Sequence, residues 1–222
     1  MIISFVTGKG GEGKSYLSAS YAAAISKAGR RKVLLVDTCS TRVGFKFHEL
    51  RQSVGVKTYD CITRTNSEKL HHEIDELYKD YDVVVIDTKG DLDEQMVSAV
   101  MASDVIVTPF NPSFEGNAVY EDTMYYLEDI AASTDRLFLT VFNNIQGGTA
   151  IDKDLKNIAD DYEKVFGHVK FLKTIIHQYI GNKYTRMKGK TVFEDGGARN
   201  GKTEMIQFIK EVEKYAKERV NG

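Results

Sequence analysis

Short apolar runs alternate along the chain with stretches in which apolar residues return every third or fourth position. The runs are Ile2–Val6, Lys32–Val36, Asp82–Ile86, Asp104–Thr108, Leu137–Phe142 and Val169–Ile176. The first stops at a glycine-rich turn, the second and third end at Asp37 and Asp87, and the fifth ends at Asn143-Asn144. Between them the spacing predicts helices over Ser15–Ala28, stopped by Gly29, and over Asn66–Tyr78, with Leu70, Ile74 and Leu77 on one side. Further helices are predicted at Leu92–Ala102, Phe114–Ala132, Ile151–Phe166 and Thr203–Val220, the last with Ile206, Ile209, Val212 and Ala216 along one face. The only prolines, Pro109 and Pro112, are placed in one turn. Near-continuous Val/Ile/Leu strands, each followed by a helix, predict an α/β fold: a mostly parallel, twisted sheet with helices on both faces. Ligands of such sheets sit at the carboxyl ends of the strands. No repeat, linker or low-complexity segment interrupts the pattern, so residues 1–222 are read as a single domain.

Composition narrows the class. With 42% hydrophobic and 28% charged residues the chain is ordinary globular material, not a disordered or collagenous one. Two cysteines, Cys39 and Cys61, give no disulfide framework and point to a reducing cytosol. No apolar run reaches the roughly 20 residues that span a bilayer, and Met1–Thr7 has neither a basic leader nor a cleavage site. The net charge of −2 hides an asymmetry, since the segment from His168 to Gly222 is strongly basic and the rest acidic. That end could face an anionic partner.

The most specific signal is Gly8-Lys9-Gly10-Gly11-Glu12-Gly13-Lys14-Ser15, which fits G-x-x-x-x-G-K-[ST] between a strand and a helix. Glycines let backbone N–H groups close around phosphates, and the helix N-terminus adds its positive end. Lys14 is expected at the β- and γ-phosphates and the Ser15 hydroxyl on Mg²⁺. The fold is therefore that of a P-loop NTPase.

Lys9 adds more. The KGGxGK[ST] form resembles the deviant Walker A box of the ParA/MinD family of ATPases, whose extra lysine reaches the phosphates of the other subunit. Lys32–Asp37 looks like the strand carrying that family's second acidic box, and Val83–Asp87 resembles its Walker B strand. Val105–Ser113, Leu139–Asn143, Thr174–Ile176 and Gly189–Val192 resemble its later segments in order, so the likeness spans essentially the whole chain. The length and the lack of an N-terminal helix-turn-helix region resemble small plasmid-type or orphan ParA proteins.

The resemblance implies ATP and Mg²⁺ as cofactors, with Lys9, Lys14 and Asp37 in catalysis and Ser15, Asp37 and Asp87 around the metal. Residues Gly8 to Tyr16 would bind the nucleotide, and Asn143 would read the adenine edge. It implies an ATP-bound homodimer, a ParB-like or cargo-adaptor partner, non-specific DNA binding and a cytoplasmic, nucleoid-associated location without membrane attachment.

Departures from the pattern bear on activity. Cys39 stands where the second acidic box carries its water-positioning carboxylate, in Asp37-Thr38-Cys39-Ser40-Thr41. Tyr16 replaces a threonine after the loop, the proline after Walker B is missing from Asp87-Thr88-Lys89-Gly90-Asp91, and His177 replaces an arginine. Hydrolysis is expected to be slow; the alternative is a hydrolysis-deficient, ATP-locked dimer serving as a scaffold.

Other clusters read more plainly. Adjacent His71 and His72 point to different sides of a helix and form no ligand face. Asp91, Asp93 and Glu94 suit a helix N-terminus. Tyr120, Tyr125 and Tyr126 suit packing of the long helix, and the closing helix suits the core more than a lipid surface. Lys183, Arg186, Lys188 and Lys190, with Arg199 and Lys202 nearby, form a basic cluster that could touch DNA phosphates without reading bases. A biosynthetic P-loop enzyme similar to dethiobiotin synthetase would need an acceptor site that the sequence does not display. A bacterial tyrosine kinase would need a C-terminal tyrosine cluster, and only Tyr215 lies near the end.

Overall fold

A computed structural model describes residues 1–28, 31–65, 69–146, 149–194 and 199–221. Strands β1 (Ile2–Phe5), β2 (Val33–Asp37), β3 (Asp60–Thr63), β4 (Val83–Asp87), β5 (Val105–Phe110), β6 (Leu137–Ile145) and β7 (Val169–His177) form one sheet. Their order is β3-β2-β4-β1-β5-β6-β7, and every pairing is parallel. The helices are α1 (Lys14–Lys27), α2 (Val43–Ser53), α3 (Leu70–Tyr78), α4 (Glu94–Ala102), α5 (Phe114–Ser133), α6 (Thr149–Val165), α7 (Ile180–Met187) and α8 (Arg199–Asn221).

Alternate residues of each central strand feed opposite layers, which is why the strands read as unbroken apolar runs. Leu35, Val85, Val107 and Leu139 pack with Leu17 of α1 and Phe208 of α8. Leu34, Val36, Val84 and Ile86 point to the other face, against Leu70 and Ile74 of α3. On that same face Phe110, Tyr120, Phe142 and Phe171 form an aromatic cluster under α5 and α6.

The six strands expected from the sequence are all present, but α2, β3 and α7 were not anticipated. β3 is an edge strand with a half-exposed, mixed DCIT sequence, and α2 is preceded by Arg42, in the left-handed region with φ 54° and no side-chain cap. Neither presents the local signals by which strands and helices are read. The expected stop at Gly29 and the start at Asn66 lie outside the described residues.

Two expectations need correcting. Pro109 lies inside β5, paired with Val141 of β6, and not in the turn. On its other side β5 pairs with β1 only as far as Val107, so the missing N–H breaks no ladder there. In α8 Val212 is buried and Ile209 and Ala216 pack against the core as expected, but Ile206 is 36% exposed and Met205 and Phe208 fill the buried positions beside them. Of the three tyrosines on α5, Tyr120 is buried while Tyr125 and Tyr126 are exposed.

α8 also closes the outer edge of β7. Glu211 accepts the Lys173 and Thr174 N–H groups at 3.0 and 2.8 Å, and Glu204 accepts that of His177 at 3.0 Å. Those edge donors would otherwise be free to pair with another chain.

Candidate functional site

The loop between β1 and α1 lies at the carboxyl end of the sheet. Gly11 and Gly13 have φ of 94° and 95°, a region that side chains rarely tolerate. A Cβ on Gly13 would also collide with Asn143, whose side-chain amide donates to the Glu12 carbonyl at 2.8 Å. Asn143 therefore braces the loop. Gly8 N–H donates to the Thr123 hydroxyl of α5 at 3.0 Å. Gly13 offers no side-chain cap to α1, which leaves first-turn N–H groups for an anion.

Lys14 is buried and folds back along the loop, donating to the Lys9 carbonyl at 2.8 Å. Burial lowers the pKa of its ammonium, opposed chiefly by the charge of Asp87. Lys9 projects from the exposed surface of the loop. Beneath it Gly90 lies so close to the Lys9–Gly10 backbone that a Cβ there would overlap it. This contact holds the Walker B loop against the phosphate loop.

Asp37 and Asp87 end neighbouring strands in register. Asp37 accepts N–H bonds from Cys39 and Phe45, both at 2.9 Å, yet burial still raises its pKa. Asp87 is fully buried, and neither oxygen has a hydrogen bond of ordinary geometry. Burial pushes its pKa up to about 7, with the nearby Ser15 hydroxyl favouring the charged form and Asp37 disfavouring it. A desolvated, unbonded carboxylate beside a hydroxyl is hard oxygen chemistry in need of a cation, and it fits Mg²⁺.

Cys39 is half-buried in the turn after β2, and its carbonyl accepts the Arg42 N–H at 2.9 Å. Among the acids after Walker B, Asp93 caps α4 by accepting the Met96 N–H at 3.0 Å. Lys89 pairs with Asp93 at 2.5 Å and with Asp91 at 3.7 Å. These acids act as a helix N-terminus and its counter-ion.

A cavity of about 350 Å³ opens beside Gly11, Gly13 and Tyr16, lined also by Asn143, Asn182 and Arg186. Its rim is fixed by Glu204, which accepts from the Tyr179 hydroxyl at 2.7 Å and lies 2.9 Å from His177 Nδ1. Tyr16 brings a buried hydroxyl without a partner, its pKa raised by burial to about 12. Sequence reasoning missed Asn182 and this Glu204 link altogether, since α7 carries no local signature.

The basic cluster divides. Lys183, Lys188, Arg199 and Lys202 are exposed and Lys190 is half-exposed. Arg186 turns inward, its guanidinium 4.9 Å from the centre of the Phe47 ring. Gly201 of α8 approaches Asn182 and Tyr179 to 3.0 Å from its Cβ position, which sets Lys202 beside α7.

The family profile described as ATPase MipZ matches residues 1–119. A plasmid partition protein from Borrelia burgdorferi B31, bound to AMPPNP, superposes with a TM-score of 0.71 at 18% identity, covering 95% of this chain and 99% of that one. The septum site-determining protein MinD from Pyrococcus horikoshii OT3, complexed with Mg-ADP, gives 0.70 at 20% identity, covering 98% of each chain. The MinD of a MinC:MinD cell division protein complex from Aquifex aeolicus gives 0.70 at 18%, covering 95% of this chain and 94% of that one. A search of curated proteins finds no match. The fold is thus that of the ParA/MinD-type P-loop ATPases.

Proposed function

The chain belongs to the MipZ ATPase family, and from that premise we propose that it is a cytoplasmic Mg·ATP-dependent switch that dimerises when ATP is bound and partitions DNA or positions a cargo. The observation that carries the reading is Asp87, a buried carboxylate with no hydrogen bond of ordinary geometry, set beside Ser15 and behind the phosphate loop. A loop of this form takes a nucleotide polyphosphate, and the orphaned carboxylate takes the divalent ion that accompanies it. The similar plasmid partition protein bound to AMPPNP and the MinD complexed with Mg-ADP agree with this use.

In this reading backbone N–H groups of Gly10 to Ser15 and the Lys14 ammonium hold the β- and γ-phosphates, and Lys9 reaches the nucleotide of a second copy. Bound Mg²⁺ would neutralise charge on the phosphates, held by Ser15 and through Asp87, with Asp37 alongside. Water attacks the γ-phosphorus in line, the bond to the bridging oxygen breaks, and ADP and phosphate leave. Cys39 leaves that water without the carboxylate expected to orient it, so turnover is slow. Lys183, Lys188, Lys190, Arg199 and Lys202 form the surface offered to DNA; a ParB-like or adaptor protein completes the system.

Calorimetric titration with Mg·ATP tests the core of this reading. Wild type binds and Lys14→Ala does not; unchanged affinity in the variant overturns it. DNA retention should need ATP and collapse with salt, because each subunit offers few contacts and a dimer doubles them. Equal retention by apo and ATP forms at all salt concentrations would remove DNA from the account.

The second reading is the ATP-locked scaffold, favoured by Cys39 alone. Single-turnover phosphate release separates the two.

A further inference from the structure

Arg186 was grouped by sequence with the surface cations, yet the fold sets it in the wall of the nucleotide cavity. It makes no ion pair among the described residues, and its partner is the Phe47 ring of α2 at 4.9 Å. Burial lowers its pKa, opposed first by the charge of Asp87. A half-buried guanidinium resting on an aromatic face, with no carboxylate bonded to its five donors, is prepared for an anion from outside the chain.

The cavity supplies the place. It runs along the Gly11, Gly13 and Tyr16 flank of the loop, and no Asp or Glu lines it. Tyr16 and Asn182 also line it, and each carries a buried side-chain oxygen without a partner. Lys14 serves the β and γ end of a polyphosphate. The flank lined by Tyr16, Asn182 and Arg186 is the other end, where the phosphate nearest the ribose would lie.

We propose that Arg186 is a nucleotide-anchoring residue whose guanidinium takes the anionic oxygens of the phosphate nearest the ribose. This rests on the reading of the cavity as a nucleotide site. Through Phe47 the same side chain touches α2, whose Phe45 N–H holds Asp37.

The test compares ADP and adenosine, each without DNA, on wild type, Arg186→Gln and Arg186→Lys. Arg186→Gln should weaken ADP about 10- to 100-fold, the worth of a charge-assisted bidentate contact, and leave adenosine unchanged. Arg186→Lys should recover part of the loss, and it carries the test if the Gln variant melts abnormally. ADP affinity within about twofold of wild type in both variants overturns the proposal. So does an equal loss for ADP and adenosine, which would make Arg186 a shaper of the pocket. Wild type that binds no ADP would instead sink the nucleotide reading itself.

Discussion

Asp37 and Asp87 face each other across neighbouring parallel strands, and the space between them is kept by a glycine. A Cβ at Gly44 would lie 3.1 Å from Asp37 Oδ2 and 3.2 Å from Asp87 Oδ2. Two desolvated carboxylates in such proximity disfavour each other's charge, and a cation between them would offset that repulsion.

Asp87→Asn should therefore stabilise the protein without metal while harming its function. Removing a buried, unbonded charge is worth about 1–3 kcal/mol in the folded state. Urea unfolding in EDTA should show a raised midpoint. Calorimetry should show that Mg²⁺ no longer tightens ATP binding. A variant less stable than wild type, with its Mg²⁺ response intact, would remove Asp87 from the metal site.

Lys9→Ala should leave nucleotide binding largely unchanged, since the Lys9 side chain is exposed while its carbonyl receives Lys14. The expected loss is the ATP-dependent dimer, read by sedimentation with a non-hydrolysable analogue. A normal dimer reduces Lys9 to a surface residue.

Cys39→Asp should speed hydrolysis. Groups that position water or act as a general base are typically worth about 10²–10⁴ in rate, and the Cys39 turn is already fixed by its own N–H bond to Asp37. Phosphate release from wild type, Cys39→Asp and Cys39→Ala, with and without DNA, decides it. Brisk wild-type turnover that Cys39→Ala leaves untouched shows that the carboxylate was never needed.

Glu194 provides an acid-stability prediction away from the site. Burial would raise its pKa, but hydrogen bonds from Arg51 and Thr191 outweigh that and hold it below the ordinary 4.5. Arg51 is fully buried, and the pair closes at 3.1 Å. With the native value depressed, the stabilisation is present above pH 4.5 and is lost as pH falls through the lower native value. Glu194→Gln should cost about 1–3 kcal/mol at pH 7, and the gap to wild type should narrow near pH 3. A gap that stays constant between pH 7 and 3 refutes the assignment.

The parts legible in the sequence were those written in short-range spacing. Buried parallel strands declare themselves as apolar runs such as Val83–Ile86, because both faces are covered. The phosphate loop declares itself because left-handed turns at Gly11 and Gly13 tolerate little else. What only the tertiary structure decided lies between residues far apart in the chain. Gly90 meets Lys9 and Gly10, Glu204 meets His177 and Tyr179, and Arg186 meets Phe47. No periodicity encodes these contacts. An arginine among lysines reads as one more solvated charge, and its turn toward Phe47 follows only from the placement of α7 beside α2.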